Sequence, residues 1–215
     1  MALWQTTRFR LDLTRPLVMG IVNNTPDSFS DGGHHHSVTA ALRHAEKLLK
    51  DGAHILDIGG ESTRPGSPAV PLEEEMRRVL PFVQAAVQFG VPISVDTYKA
   101  QVMQAVLDAG ADIINDVWAL RQPGAQSVVA SHPQCGVVLM HMHKTPPDMQ
   151  QTPMQGDAVA QVQDFLAQQT QALVALGVER QRIVWDYGIG FGKTVAQNFA
   201  LLAHQTALTR QGFAL

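Results

Sequence analysis

The amino-acid sequence predicts an α/β fold of the TIM, or (βα)8, barrel type, and three observations support this prediction. Short apolar runs alternate with amphipathic helical patterns along the whole chain. The runs are continuously apolar, which suits parallel strands covered by helices. Each run ends at a polar residue, and TIM barrels place their functional groups at the carboxyl ends of the strands. No linker-like segment interrupts the pattern, so a single domain is predicted for residues 1–215.

Six strands are predicted in one unbroken series. A doubly wound open sheet also binds ligands at its strand ends, but six consecutive strands favour the barrel. An internal sequence similarity supports a βα repeat, because residues 51–57 resemble residues 109–115. Each segment is typical of a helix that ends at a glycine and is followed by a strand. The strands are predicted at residues 17–22, 54–58, 92–96, 113–116, 137–141 and 182–186, and the helices at residues 42–49, 72–87, 102–109, 122–131, 162–173 and 195–210.

The predicted barrel is incomplete at its carboxyl end. Residues 212–215 open a seventh strand, and the sequence then stops. A complete barrel has eight βα units and typically ~250 residues. We therefore expect six strands and the start of a seventh, in a domain truncated at its carboxyl end.

Composition excludes several classes of partner. Lys and Arg number 16 and Asp and Glu 19, which gives a net charge of −3 and no basic field for nucleic acid or anionic membrane. The single cysteine, Cys135, cannot form an intramolecular disulfide, which is typical of a reducing compartment. Residues 1–17 contain no apolar run long enough for a signal peptide or a membrane span. A cytoplasmic protein with small-molecule ligands is expected.

Polar side chains collect where the predicted strands end, and core packing does not account for six such ends. Two loops add candidates: residues 23–33 form a long polar loop, and residues 61–66 place a hydroxyl beside a guanidinium, a pair suited to phosphate oxygens. In the glycine-rich residues 186–194, Tyr187 stands where a P-loop needs glycine, so close approach of the backbone to a flat ligand is the better interpretation. The strand-end residues are Asn23, Glu61, Asp96, Asn115, Asp116, His141 and Asp186.

Five ordered blocks carry a resemblance to a known family. They read MGIVNNTPDSFSDGG at residues 19–33, DIGGESTRPG at 57–66, SVDT at 94–97, IND at 114–116 and DYGIGFGK at 186–193. On these blocks the chain resembles the dihydropteroate synthases, folate-pathway enzymes with a pterin-binding TIM barrel. Tyr187 departs from the pattern, because the family commonly has proline there.

The resemblance implies a transferase. In the reaction, the amine of 4-aminobenzoate displaces diphosphate from (7,8-dihydropterin-6-yl)methyl diphosphate and forms 7,8-dihydropteroate. Diphosphate is a good leaving group and the pterin stabilises positive charge at its exocyclic carbon, so departure before attack is implied. The protein then has to stabilise the diphosphate and orient the cation. A homodimer is also implied, because the family is usually dimeric.

The resemblance assigns pterin recognition and catalysis to Asp96, Asn115 and Asp186. Asp186 would accept two hydrogen bonds from the amino-pyrimidinone edge of the pterin, because a carboxylate matches adjacent donors. Asn115, a donor and an acceptor, would read neighbouring ring nitrogens. Asp96 would contact the pterin and stabilise developing positive charge. Met140 would pack against the pterin face or, equally well, serve as an ordinary core residue.

The remaining implied roles concern diphosphate, 4-aminobenzoate and a metal ion. Asn23 is implied as a ligand of Mg²⁺, a hard cation that it would share with diphosphate. Thr63 and Arg64 would contact diphosphate or 4-aminobenzoate, and Arg64 counts among the catalytic residues. Phe29 and Pro65 would help enclose 4-aminobenzoate.

Two alternative functions stay open. A methyltransferase that passes a methyl group from methyltetrahydrofolate to a corrinoid shares the Asp and Asn pterin set, although the blocks at residues 25–29 and 62–66 favour the synthase. A non-catalytic pterin binder is the other, because the family's blocks after strands seven and eight are absent. The run His34–His36, predicted in a surface loop, and the pair His141 and His143 could hold a transition metal, but solvated histidines are the commoner case.

Overall fold

The computed structural model describes residues 3–23, 34–63, 66–145, 148–210 and 212–215, with the backbone only for residues 34–37 and 207–208. The strands are β1 (Leu3–Gln5), β2 (Arg10–Asp12), β3 (Met19–Asn23), β4 (Ile55–Gly59), β5 (Ile93–Asp96), β6 (Ile113–Asp116), β7 (Gly136–Met140) and β8 (Ile183–Asp186). The α-helices are α1 (His34–Lys50), α2 (Leu72–Ala86), α3 (Ala100–Asp108), α4 (Ala125–Ser131), α5 (Ala158–Ala175), α6 (Val195–Ala203) and α7 (Gln205–Thr209).

The six predicted strands form one parallel sheet in chain order, β3 to β8, which confirms an α/β fold. Each strand is followed by at least one helix, as the alternation of apolar runs and helical stripes predicts. The predicted start of a seventh strand lies beside β8, where Ala214 forms an isolated parallel bridge with Val184. Among the described helices, none has both the length and the apolar character needed to cross a bilayer.

The two faces of the sheet bury different sets of side chains. Alternate residues such as Leu56, Val95 and Leu139 face the helices and belong to the large core between sheet and helices. The intervening residues face the opposite way. Near the amino ends of the strands Ile55, Ile113, Val138 and Val184 form a second apolar cluster together with Trp4 of β1. Polar residues follow these on the same inner face, toward the carboxyl ends.

An antiparallel hairpin of β1 and β2 packs against the amino ends of the strands, and the sequence patterns do not predict it. The Trp4 indole donates to the carbonyl of Arg182 at 2.9 Å, and the Arg8 guanidinium pairs with the buried Asp112 carboxylate at 2.6 Å. Three-residue strands are too short for a period-two signal to stand out.

Two local predictions were wrong, and one was confirmed. The run His34–His36 lies in the first turn of α1 instead of a surface loop, because these residues contain no glycine or proline that would stop the helix. The predicted last helix is divided at His204 into α6 and α7. The predicted glycine at the end of each repeated helix is confirmed, since Gly52 and Gly110 both adopt the left-handed conformation (φ 105° and 101°) that ends a helix.

Candidate active site

The carboxyl ends of the strands bring the predicted pterin residues together. Asp96 on β5 pairs in register with Asn115 on β6, so the two lie side by side on the same face. Asn115 and Asp186 line one cavity of about 320 Å³, whose other lining residues are mostly apolar and include Met19, Ile55 and Val138. A cavity lined mostly by apolar residues with a few polar groups is typical of a small-molecule site.

Asp57, in the middle of β4, is a buried carboxylate of this site that the sequence predictions did not single out. Its Oδ1 accepts a hydrogen bond from the Ser94 hydroxyl at 2.6 Å, and its Oδ2 accepts one from Asn115 Nδ2 at 3.2 Å. Burial raises the pKa of Asp57, and the nearby Asp186 carboxylate adds to that rise. A charged residue inside an otherwise apolar strand is the sequence signal that could have identified it.

Burial disfavours the charged forms of the carboxyl groups in this region. Burial raises the pKa of Asp96 well above its usual range, and the carboxylates of Asp57 and Asp116 raise it further. Partial desolvation raises the pKa of Asp186 as well, although the Gly188 amide and the Lys193 ammonium oppose this. Carboxyl groups in such surroundings can donate as well as accept hydrogen bonds, and they favour a cationic ligand.

Asp186 is held in place by the loop that follows β8. The amide of Gly188 donates to Asp186 Oδ1 at 2.8 Å. The buried Lys193 ammonium donates to the carbonyls of His141 (3.1 Å), Gly188 (2.8 Å) and Phe191 (3.1 Å), which ties this loop to the end of β7. A Cβ at Gly188 would lie 2.0 Å from the His141 carbonyl oxygen, so this glycine permits close packing of two backbone segments. The predicted approach of the glycines to a ligand stays a prediction.

Thr63 lies apart from these residues. It lines a separate cavity of about 230 Å³, together with Glu61, Tyr98 and Trp118. Met140 is buried against Val117, Met142 and Met149, and its packing against the pterin face stays a prediction. Phe29, Arg64 and Pro65 fall outside the described residues, so their predicted roles stay predictions.

Asn23 stands at the exposed end of β3, beside Gly59 of β4. A Cβ at Gly59 would lie 3.2 Å from Asn23 Oδ1, so the glycine leaves room for this amide oxygen. In the part of the chain that the structure describes, no three His, Cys, Asp or Glu side chains form a metal-binding group. His141 Nδ1 is buried without a hydrogen-bond partner, and His141 packs edge-on against Phe165 at 5.0 Å.

Comparison with known proteins places the chain in a family. Residues 19–214 match the family model described as pterin binding enzyme. The dihydropteroate synthase of Neisseria meningitidis serogroup B is 46% identical over 99% of this chain and 76% of its own length. Two similar solved structures are the Burkholderia cenocepacia synthase complexed with 7,8-dihydropteroate (48% identity, TM-score 0.86, 96% of this chain and 71% of that one) and the Xanthomonas albilineans synthase with 4-aminobenzoic acid (52%, 0.87, 95% and 72%).

These matches agree with the geometry of the strand ends. The sheet order of this chain brings Asp96, Asn115 and Asp186 to one edge, and the match to the Neisseria meningitidis synthase runs over nearly the whole chain. The family model extends across all six parallel strands. The chain therefore belongs to the dihydropteroate synthase family of pterin-binding enzymes.

Proposed function

We propose that this chain catalyses the condensation of (7,8-dihydropterin-6-yl)methyl diphosphate with 4-aminobenzoate to form 7,8-dihydropteroate and diphosphate, in folate biosynthesis. The observation that carries the proposal is the shared cavity of Asn115 and Asp186, with Asp96 beside Asn115 in register. The structures of relatives with 7,8-dihydropteroate and with 4-aminobenzoic acid support it, because they contain the product and one substrate.

Pterin recognition follows from the hydrogen bonds already made. Asn115 uses its Nδ2 on Asp57, which leaves its amide oxygen to accept from a pterin N–H group. Asp186 uses one oxygen on the Gly188 amide, which leaves the other oxygen and a second lone pair for the donors of the amino-pyrimidinone edge. The neighbouring Asp57 is therefore a positioning residue, because it sets which end of the Asn115 amide faces the cavity.

The surrounding carboxyl groups suit a reaction that develops positive charge. As diphosphate leaves, positive charge spreads over the pterin, and a nearby carboxylate stabilises that charge. Asp96, beside Asn115 in register, is the group that we assign to this stabilisation. The 4-aminobenzoate amine then attacks the exocyclic carbon, the C–N bond forms after the C–O bond to diphosphate has broken, and the proton of the attacking amine passes to water or to the released diphosphate. Thr63 and Arg64 would hold the diphosphate or the 4-aminobenzoate carboxylate.

Mg²⁺ is the cofactor that we propose, with Asn23 as its protein ligand. The exposed Asn23 oxygen and the space beside Gly59 fit a hard cation whose other ligands are water and diphosphate oxygens. Bound there, the ion would neutralise charge on the departing diphosphate.

We further propose that the parallel sheet belongs to a TIM-type barrel, that residues 1–215 form one pterin-binding domain, and that two copies form a homodimer.

The test is turnover with radiolabelled 4-aminobenzoate and the pterin diphosphate, with Mg²⁺ present. Labelled dihydropteroate is expected from the wild-type chain, and much less from Asn115→Ala. A chain that binds 6-hydroxymethylpterin but forms no product would support the non-catalytic pterin binder instead. Transfer of a methyl group from methyltetrahydrofolate to cob(I)alamin would support the methyltransferase.

A further inference from the structure

A cluster of charged and hydroxyl side chains lies at the base of the loop after β4, of which residues 60–63 and 66–70 are described, away from the cavity of Asn115 and Asp186. It consists of Glu61, Glu75 of α2, and Tyr98 and Lys99 after β5, and we name it the loop brace. The Lys99 ammonium donates to Glu61 Oε2 at 2.5 Å and also to Glu75 Oε2. The Tyr98 hydroxyl donates to Glu61 Oε1 at 2.8 Å.

Glu61 closes the loop as well as anchoring it. Its Oε2 also accepts from the amide of Val70 at 3.1 Å, which joins the first part of the loop to its last residue. The Ser67 hydroxyl donates to the Ser62 hydroxyl at 3.0 Å across the loop. One carboxylate therefore links both ends of the loop to the end of β5, and through Lys99 to α2.

The loop brace is largely withdrawn from water. The side chains of Glu75, Glu61 and Lys99 are 1%, 12% and 16% exposed. Burial disfavours the charge on Lys99, but its hydrogen bonds with Glu61 and Glu75 outweigh this and raise its pKa. Charges held this way keep one geometry, because a side chain that moved would leave its partners buried and unpaired.

We propose that the loop brace positions Thr63 and its loop for the 4-aminobenzoate side of the reaction, and that Glu61, Tyr98 and Lys99 are positioning residues for that substrate. This inference rests on the proposed function. Glu61 and Tyr98 line the same cavity as Thr63, two residues along the chain from Glu61. The described hydrogen bonds of Asn115 and Asp186 go instead to Asp57 and Gly188. Loss of the uncharged Tyr98 contact should therefore weaken 4-aminobenzoate binding and leave pterin binding almost unchanged.

The test compares two affinities in four proteins: wild type, Tyr98→Phe, Glu61→Gln and the control Asp112→Asn. Calorimetry measures the Kd of 6-hydroxymethylpterin, and then the Kd of 4-aminobenzoate with 6-hydroxymethylpterin and diphosphate present. Tyr98→Phe removes one hydrogen bond to a carboxylate, for which about a tenfold weaker 4-aminobenzoate Kd is expected. Pterin Kd should stay within about twofold in Tyr98→Phe, the expected spread for an uncoupled site. Glu61→Gln should weaken 4-aminobenzoate further, but it also removes a negative charge that raises the pKa of Asp96, so its pterin Kd is not used as a criterion.

Asp112→Asn makes the same carboxylate-to-amide change at the opposite end of the sheet, where Asp112 pairs with Arg8. It should lower the melting temperature without changing either affinity. The proposal is overturned if both ligands weaken equally in Tyr98→Phe, or if folded Tyr98→Phe binds 4-aminobenzoate like wild type. Should Glu61→Gln not fold, Tyr98→Phe decides alone. Turnover is measured separately. If the wild type binds both ligands but forms no product, the proposed reaction is overturned, and the change in 4-aminobenzoate Kd relative to pterin Kd still tests the loop brace. Wild type that does not bind 4-aminobenzoate overturns both.

Discussion

Replacing Asp186 by asparagine changes one acceptor oxygen of the candidate pterin site into a donor. The Gly188 amide, 2.8 Å from Asp186 Oδ1, determines which end of the new side chain keeps its oxygen. Because an N–H group needs an acceptor, the asparagine oxygen should stay on Gly188, and its NH2 group should point at the donors of the pterin edge.

The expected magnitude follows from these contacts. A hydrogen bond to a charged group contributes ~1.5–3 kcal/mol, and a donor left facing a donor adds ~1–3 kcal/mol. We therefore expect Asp186→Asn to weaken 6-hydroxymethylpterin binding by about 3 kcal/mol or more, which is at least a hundredfold in Kd at ~1.4 kcal/mol per factor of ten. Protein stability should not fall, because surroundings that raise the pKa of Asp186 disfavour its charge.

Calorimetry with 6-hydroxymethylpterin measures the affinity, and urea unfolding at the same pH measures the stability. Asp164→Asn, the same change on the exposed face of α5, is the matched control and should bind like wild type. An unchanged Kd for folded Asp186→Asn would refute the assignment of Asp186 to the pterin edge. A lost affinity accompanied by a collapse in stability would refute the argument from desolvation.

Three further predictions concern packing, pH and the metal. Gly188→Ala should lower the free energy of unfolding by at least about 2 kcal/mol in urea titrations, because φ is +61° and the new Cβ would overlap the His141 carbonyl. Burial, with the charge of Lys193, lowers the pKa of His141 from 6.5 to about 3, so the unfolded chain binds a proton that the folded one excludes and stability is lost as pH falls through 6.5. The loss of stability between pH 7 and pH 5 should thus be ~2 kcal/mol smaller in His141→Phe than in wild type, at ~1.36 kcal/mol per pH unit; an equal loss in both would contradict the burial argument. Chelation of Mg²⁺ should abolish turnover, and Asn23→Ala should raise the Mg²⁺ concentration for half-maximal rate about tenfold, roughly 1.4 kcal/mol of ligand binding; a rate indifferent to chelation would exclude the proposed metal.

The sequence was sufficient to predict the six strands of the parallel sheet and the edge of the sheet that carries the site. A run that is apolar and then polar, such as residues 113–116, indicates where a buried strand ends. Parallel strands bring these ends to one edge of the sheet. Asp96, Asn115 and Asp186 could be assigned to that edge before any coordinates, and the family blocks added their chemistry. Local patterns were weaker where elements are short, as in the hairpin of β1 and β2, or where a helix extends past its apolar stripe, as at His34–His36.

Only the tertiary structure decided how these side chains are held. The hydrogen bond from Asn115 to Asp57 spans 58 positions of sequence, and that from Lys99 to Glu61 spans 38. Such contacts depend on the register between strands and on how loops cross the sheet edge, and neither is encoded in a periodic pattern of apolar residues. The sequence by itself placed Asp96, Asn115 and Asp186 at this edge of the sheet but did not single out Asp57. The folded chain determined which of their atoms are already occupied by neighbouring groups, and therefore which remain to meet a ligand.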